Sequence, residues 1–232
     1  QRWDGELRVF RAEGRNEYDG SLNNEADTVQ QVGGGRVRYA PGDRLRFTAS
    51  VGASADLSEN FLNGVYSSNF DTRRRLGSLQ ADIGAGAGLL TVGYDWSGDE
   101  IHSNTRYARD RRINRGLFGQ WQRDFGRHSL QAGVRRDDDS QFGGETTGSL
   151  LWGWNFTEHL RLGASYGTAF KAPTFNELYF PGYGNPELGP ETSRSFELSL
   201  RGEHGRARWA LHAFDTRIDD MISEAVDCGL DV

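Results

Sequence analysis

The sequence predicts an all-β chain and, within that class, part of an antiparallel transmembrane β-barrel, about eleven strands of a larger closed wall. Three observations lead there. Apolar and polar residues alternate strictly over long stretches, as in Leu45, Phe47, Ala49, Val51, Ala53, Ala55 and Leu57 against Arg46, Thr48, Ser50, Gly52, Ser54 and Asp56. Period two over eight or more residues marks a strand with one face in an apolar medium and the other in a polar one. The connections between such stretches alternate between long and short. The polar sides carry Arg46, Gln80, Asp82, Asp95, Gln131, Arg135, Arg161, Glu197 and Arg201, more charge than a packed sandwich interior accepts; a soluble β-sandwich or solenoid is the alternative that shares the alternation.

Taken in order, the first expected strand is 2–11, with Trp3 and Phe10 near its ends, and the second is 30–40, closing at Tyr39. Strand 45–57 is the alternating stretch above, and 75–84 carries Gln80 and Asp82 on its polar side. Strand 88–97 sets Leu90, Val92, Tyr94 and Trp96 against Thr91, Gly93, Asp95 and Ser97; strand 113–123 has Trp121 near its end. Strand 128–136 is patterned by Leu130, Ala132 and Val134, strand 147–156 by Leu150, Trp152, Trp154 and Phe156, and strand 159–169 by Leu160, Leu162, Ala164 and Tyr166. Phe196, Leu198 and Leu200 define 193–203; Trp209, Leu211 and Ala213 define 206–216. The long polar connections are 12–29, 58–74, 98–112, 137–146 and 170–192. The short ones are Pro41-Gly42-Asp43-Arg44, Ala85-Gly86-Ala87, Asp124-Phe125-Gly126-Arg127, Thr157-Glu158 and His204-Gly205. An outer-membrane barrel produces this alternation, with short periplasmic turns and long extracellular loops. Its strands need roughly 9–11 residues to cross about 30 Å at a tilt, and aromatic residues near strand ends fit interfacial girdles.

Composition narrows the classes. The 232 residues carry 27 Lys+Arg against 33 Asp+Glu, a net charge of −6, which argues against nucleic acid as a partner. No apolar run approaches a transmembrane helix, and no N-terminal signal pattern is present. The single cysteine, Cys228, excludes an internal disulfide framework. With 31 glycines and five prolines, glycine turns between strands are expected. Eleven is an odd number, and an unpaired edge in lipid is costly; the expectation is one barrel domain over 1–232, a segment of a longer barrel with no plug domain in this chain.

A resemblance points the same way. Tyr166-Gly167-Thr168-Ala169-Phe170-Lys171-Ala172-Pro173, then Glu177-Leu178-Tyr179, then Gly184-Asn185-Pro186-Glu187-Leu188-Gly189-Pro190-Glu191, is similar to the TonB-dependent outer-membrane receptors, in which a strand ends in a YGTxFKAP block and a loop with a GNPxLxPE motif follows. Arg136-Asp137-Asp138-Asp139-Ser140-Gln141-Phe142-Gly143 resembles a loop of the cobalamin-receptor branch. The resemblance implies a 22-stranded barrel plugged by an N-terminal domain, binding of a scarce nutrient from outside, and coupling to an inner-membrane protein through the plug.

Candidate site residues follow. Pro173, Pro181, Pro186 and Pro190 preset the loop conformation. Tyr166, Phe170, Tyr179, Phe180 and Tyr183, with Asn185 of the same loop, offer a surface suited to a large flat ligand such as a corrin, and equally to the bilayer interface or loop packing. Lys171, the only lysine, is expected to pair with a loop carboxylate. The cobalamin branch implies calcium held by acidic loop residues; Asp19 and Asp71 lie in loops that roughly correspond, and Asp137–Asp139 in another, where a solvated acidic loop is the default. The upstream acidic loop that would supply most ligands is not evident. The five histidines form no zinc motif. Gly84-Ala85-Gly86-Ala87-Gly88 reads as a turn, and Gly33-Gly34-Gly35 as a flexible or bulged strand.

The expected function is therefore energy-coupled uptake at the bacterial outer membrane, with no covalent chemistry. The expected ligand is cobalamin or another small nutrient, and calcium is the one candidate cofactor. A siderophore receptor and a passive porin or adhesin barrel are the alternatives, and a membrane-embedded hydrolase with a Ser–His or Asp–His pair is the remaining class.

Overall fold

A computed structural model describes residues 2–18, 24–86, 88–205 and 207–223. Eleven strands form one sheet in chain order. They are β1 (Trp3–Tyr18), β2 (Asn24–Gly42), β3 (Leu45–Leu62), β4 (Val65–Ala85), β5 (Gly88–Ser103), β6 (Arg111–Phe125), β7 (His128–Asp139), β8 (Gly143–Asn155), β9 (Leu160–Lys171), β10 (Glu191–His204) and β11 (Ala207–Asp219), with one short helix, α1 (Phe175–Tyr179), between β9 and β10. Each strand pairs antiparallel with its chain neighbours, and β1 and β11 each pair on one side only among the described residues. All eleven expected strands are present.

The long connections are where expectation and structure part. Most of 12–29, 58–74 and 98–112 is ladder, because β1–β5 run on for 16 to 21 residues. The connection 58–74 shrinks to Asn63-Gly64, both with positive φ (50° and 75°), as a two-residue turn of mirror-image type requires. Likewise 137–146 reduces to 140–142, with Asp137 to Asp139 completing β7. Polarity alone does not end a strand: once clear of lipid, backbone pairing continues while both faces become hydrophilic. At the other rim, Pro41 and Gly42 belong to β2, with the register shifting between Tyr39 and Gly42. The turn itself is Asp43-Arg44.

Glycine is chiefly a wall residue here rather than a turn residue. Gly33, Gly34 and Gly35 sit in unbroken register with Val51 to Ala53, not in a bulge. A Cβ on Gly93 would collide with the Phe118 ring and come within 2.8 Å of the Leu79 carbonyl; one on Gly116 would collide with the Arg135 guanidinium, and one on Gly202 with the Trp209 ring. Large side chains lie across the neighbouring strand in slots that missing side chains create.

Register sorts the residues into two faces. Directly opposed pairs share a face, so Leu7, Val51 and Trp96 lie with Gly35 and Gly77, and Val37, Ala49, Leu79, Tyr94 and Leu117 form the adjoining row. Leu7 and Val9 are each 80% exposed, which hydrocarbon tolerates and water does not. The opposite face carries Glu6–Arg36, Gln80–Asp82 and the Arg135 network, and is the lumen side. At the short-turn rim the apolar face ends in stacked rings: Trp3 on Tyr39 at 4.3 Å, and Phe125, His128, Trp152 and Trp154 at 5.7 to 6.2 Å. Among the described residues no helix is long and apolar enough to cross a membrane; the strands are the crossing elements.

Candidate functional site

The site lies at the long-loop rim, where the chain leaves β9 and folds back over the lumen face. Thr174 caps α1: its Oγ1 accepts from the Glu177 amide at 3.2 Å while Glu177 Oε2 accepts from the Thr174 amide at 2.6 Å. This reciprocal capping box is readable as Thr174-Phe175-Asn176-Glu177, a helix start inside a segment that otherwise reads as loop. The helix buries Phe175 and Leu178, and Pro173 beside it is fully buried.

What receives it is β6, three strands away. Arg112 Nη1 donates to the Pro173 carbonyl at 2.7 Å, and its guanidinium lies 5.0 Å from the Phe175 ring centre and 6.0 Å from that of Phe142. Arg112 and Asp139, 3.8 Å apart, are both nearly buried. Asp139 Oδ1 in turn accepts from the amides of Gln141 (2.8 Å) and Phe142 (3.2 Å), fixing the β7–β8 turn. Two more ties close the strap: the Tyr107 hydroxyl donates to Asn176 Oδ1 at 2.7 Å, and Gln141 Nε2 donates to the Tyr179 hydroxyl at 2.6 Å. Burial pushes the Tyr107 phenol up from its ordinary value, keeping it a neutral donor.

Above this anchor runs an aromatic ladder. Phe70 and Tyr107 are 6.0 Å apart, Tyr107 and Phe180 6.4 Å edge to face, and Phe180 and Tyr183 4.9 Å stacked. Tyr183 remains well exposed, so the ladder ends in an open ring face. The turn behind it is tight: the Gly184 amide donates to the Phe180 carbonyl at 2.8 Å, and a Cβ on Gly184 would press on the backbone of Phe180 and Tyr179 at 2.6 and 2.8 Å.

The structure therefore brings together Tyr179, Phe180 and Tyr183. Asn185 is nearby in a turn role, its side chain accepting from the Glu187 amide at 3.0 Å. Tyr166 and Phe170 are elsewhere: in β9 they alternate onto the apolar outer face, Tyr166 directly between Leu150 and Phe196 and Phe170 opposite Thr192. Lys171, one residue on, faces the lumen side and pairs with Glu191 at 3.2 Å. Phe70, Tyr107, Arg112 and Gln141 escape sequence reasoning, because they belong to other hairpins and share no spacing with the loop they meet.

The acidic candidates separate as well. Asp71 is in β4, opposite His102 on the outer face. Asp19 lies outside the described residues. Asp137 and Asp139 are not solvated loop residues but buried strand residues, 3% and 7% exposed. Asp137 is held by Arg135 Nε at 2.7 Å and Asn114 Nδ2 at 2.7 Å, while Arg135 also reaches Asp95 at 2.6 Å. Among the described residues no three His, Cys, Asp or Glu side chains gather as a metal site.

Comparison with known proteins decides the family. Residues 2–231 match the model described as TonB dependent receptor-like, beta-barrel. The chain belongs to the TonB-dependent receptor family. Its members are bacterial outer-membrane barrels and transport receptors, not enzymes. Over 235 residues and 96% of its length the chain is 30% identical to the vitamin B12 transporter BtuB of Photobacterium profundum, of which it covers 38%. Among solved structures, a variant of the ferric enterobactin receptor PfeA of Pseudomonas aeruginosa matches with a TM-score of 0.77 at 18% identity, covering 92% of this chain and 40% of that one. The Serratia marcescens hemophore receptor HasR matches at 0.72 and 17%, covering 93% and 43%. At those identities the structural likeness speaks to fold alone. This TonB-dependent receptor chain thus spans about two-fifths of the length of the relatives it matches.

Proposed function

We propose that the chain supplies part of the wall and the ligand-facing rim of an energy-coupled outer-membrane receptor for a corrinoid. The observation that carries the ligand class is the 30% identity to a vitamin B12 transporter over 96% of the chain. The Phe70–Tyr107–Phe180–Tyr183 ladder supports it, since its outermost pair, Phe180 stacked on the exposed Tyr183, presents an apolar, planar surface a corrin ring can cover. Gln141 adds a polar group beside it: its Oε1 is buried and has no hydrogen-bond partner among the described residues. In this reading the strap from Pro173 to Pro190 is positioned by Arg112, Tyr107 and Gln141, and binding is reversible, with no bond made or broken. Transport through the lumen and coupling to an inner-membrane protein through a plug domain follow as the proposed role of the whole receptor.

The test is calorimetric titration of the full-length receptor with cyanocobalamin and, separately, with a ferric catecholate siderophore. Corrinoid binding that weakens at least tenfold in a Phe180→Ala/Tyr183→Ala double variant is the expected result, a loss of about 1.4 kcal/mol or more. Siderophore binding without corrinoid binding replaces the ligand class, and binding of neither overturns the corrinoid reading.

A further inference from the structure

The outer face carries a row of arginines at one depth. Counted along each strand from the short-turn rim, Trp3 to Arg11 in β1, Ile83 to Arg75 in β4, His128 to Arg136 in β7 and Trp209 to Arg217 in β11 are each nine residues, and Phe125 to Arg115 in β6 is eleven. That is the length a tilted strand needs to cross the hydrocarbon layer, roughly 9–11 residues. These arginines all point to the apolar face, being an even number of residues from Leu7, Leu79, Leu117, Val134 and Leu211. Register confirms a common line. Arg75 lies in the row of Val9 and Ile113, Arg115 in the row of Leu7 and Trp96, and Arg136 beside Leu117 in the next. The row steps toward the short-turn rim as the strands advance, parallel to the aromatic row below.

The members differ in partners. Arg11 is paired with Glu13 and Arg217 with Asp215, at 3.6 Å in the latter. Arg75, Arg115 and Arg136, on β4, β6 and β7, are exposed and form no ion pair within 4 Å among the described residues. Arg136 Nη1 makes one hydrogen bond, to Thr146 Oγ1 at 2.8 Å, and its guanidinium lies over Gly144, where a Cβ would collide with it. Asp138, opposite Arg115 in register, and Glu100, on the same face of β5, are the acidic groups facing them. Three cations at the edge of an apolar band, none matched by a carboxylate and with only one donor of Arg136 engaged, match a phosphate at headgroup depth, which guanidinium binds bidentately.

We infer that Arg75, Arg115 and Arg136 form a docking site on the outer wall for a phosphate-bearing lipid headgroup of the outer leaflet. The site is independent of the ligand rim and of the nutrient transported. The alkyl stems of these arginines cover the last apolar row while their guanidinium groups reach the phosphate layer.

The experiment uses the full-length receptor in neutral detergent, with native mass spectrometry counting lipids retained after exchange. The probes are a bisphosphorylated glucosamine-based lipid, its dephosphorylated counterpart, phosphatidylcholine and inorganic phosphate. Wild-type receptor is expected to retain the bisphosphorylated lipid at least fivefold over the dephosphorylated one and over phosphatidylcholine, and to hold no inorganic phosphate. An Arg75→Gln/Arg115→Gln/Arg136→Gln variant is expected to lose that preference, while Arg46→Gln, on the lumen face, keeps it. Equal retention of phosphorylated and dephosphorylated lipid by the unmodified receptor overturns the assignment without recourse to any variant. So does a triple Gln variant that folds and retains wild-type lipid; retention of inorganic phosphate alone makes the site an anion site and not a lipid site.

Discussion

Arg112 does more at the rim than its place in a polar strand suggests. It holds the Pro173 carbonyl, covers the Phe175 and Phe142 rings and faces Asp139 in nearly dry surroundings, so removing it strips a buried carboxylate of its cation and a carbonyl of its donor. An Arg112→Met change keeps the bulk and loses both. Hydrogen exchange over 173–180 should show local opening made easier by about 1.5–3 kcal/mol, the usual worth of hydrogen bonds to a charged group; unchanged protection would mean that Tyr107 and Gln141 hold the strap unaided. Glu191 lies three residues beyond Arg194, the register partner of Arg217 in the outer arginine row, and so clear of the membrane; it behaves differently. Its Oε1 accepts from the Ile222 amide at 2.6 Å, and Lys171 lies at 3.2 Å; the amide bond first and then Lys171 hold its carboxyl below the usual glutamate range. A depressed pKa stabilises the folded form above the unfolded pKa, and that contribution is lost as pH falls through the folded one. Protection of the Ile222 amide, corrected for intrinsic exchange, should therefore be full at neutral pH and fall away below about pH 4, and in Glu191→Gln the fall should be absent.

At the scale of strands, the wall is organised by what glycine omits. Phe118 fits against β5 only because Gly93 has no side chain, and the Leu79 carbonyl stands on the same side at a distance that a Cβ could not share. Gly93→Ala must move backbone, and overpacking of this kind costs about 1–3 kcal/mol. A lowered urea midpoint of the folded receptor in micelles is the expected outcome; a midpoint within error of wild type would mean that Phe118 swings clear freely. Strand existence was legible in the sequence because alternation is a local consequence of two different solvents on two faces. Strand ends were not. Residues 12–18, 58–62, 98–103 and 137–139 are mostly polar and lack the alternation, yet remain in the ladder, since backbone pairing outside the membrane needs no apolar face. Helix α1 was not legible either: its stretch reads as loop, although Thr174 and Glu177 have capping-box spacing, and nothing in the sequence marked its partner strand.

For the whole molecule, the same asymmetry recurs. Tyr166 and Phe170 read as ligand residues because they adjoin Tyr179, Phe180 and Tyr183 in sequence, but β9 turns them toward lipid. Arg112, Tyr107 and Gln141 share no pattern with the loop they hold. The sheet also leaves β1 and β11 with one unpaired edge each among the described residues, and backbone groups without partners are costly in hydrocarbon; the wall described here is a surface to which further strands must pair in the membrane. By itself the sequence determined the solvent on each side of the wall, the number and order of its strands and the family they belong to, because each strand records its two environments residue by residue. Only the tertiary structure decided which loop residues meet, that the strap reaches β6, and that the outer arginines share one depth. Those relations depend on register and strand tilt between hairpins, and no short stretch of chain encodes either.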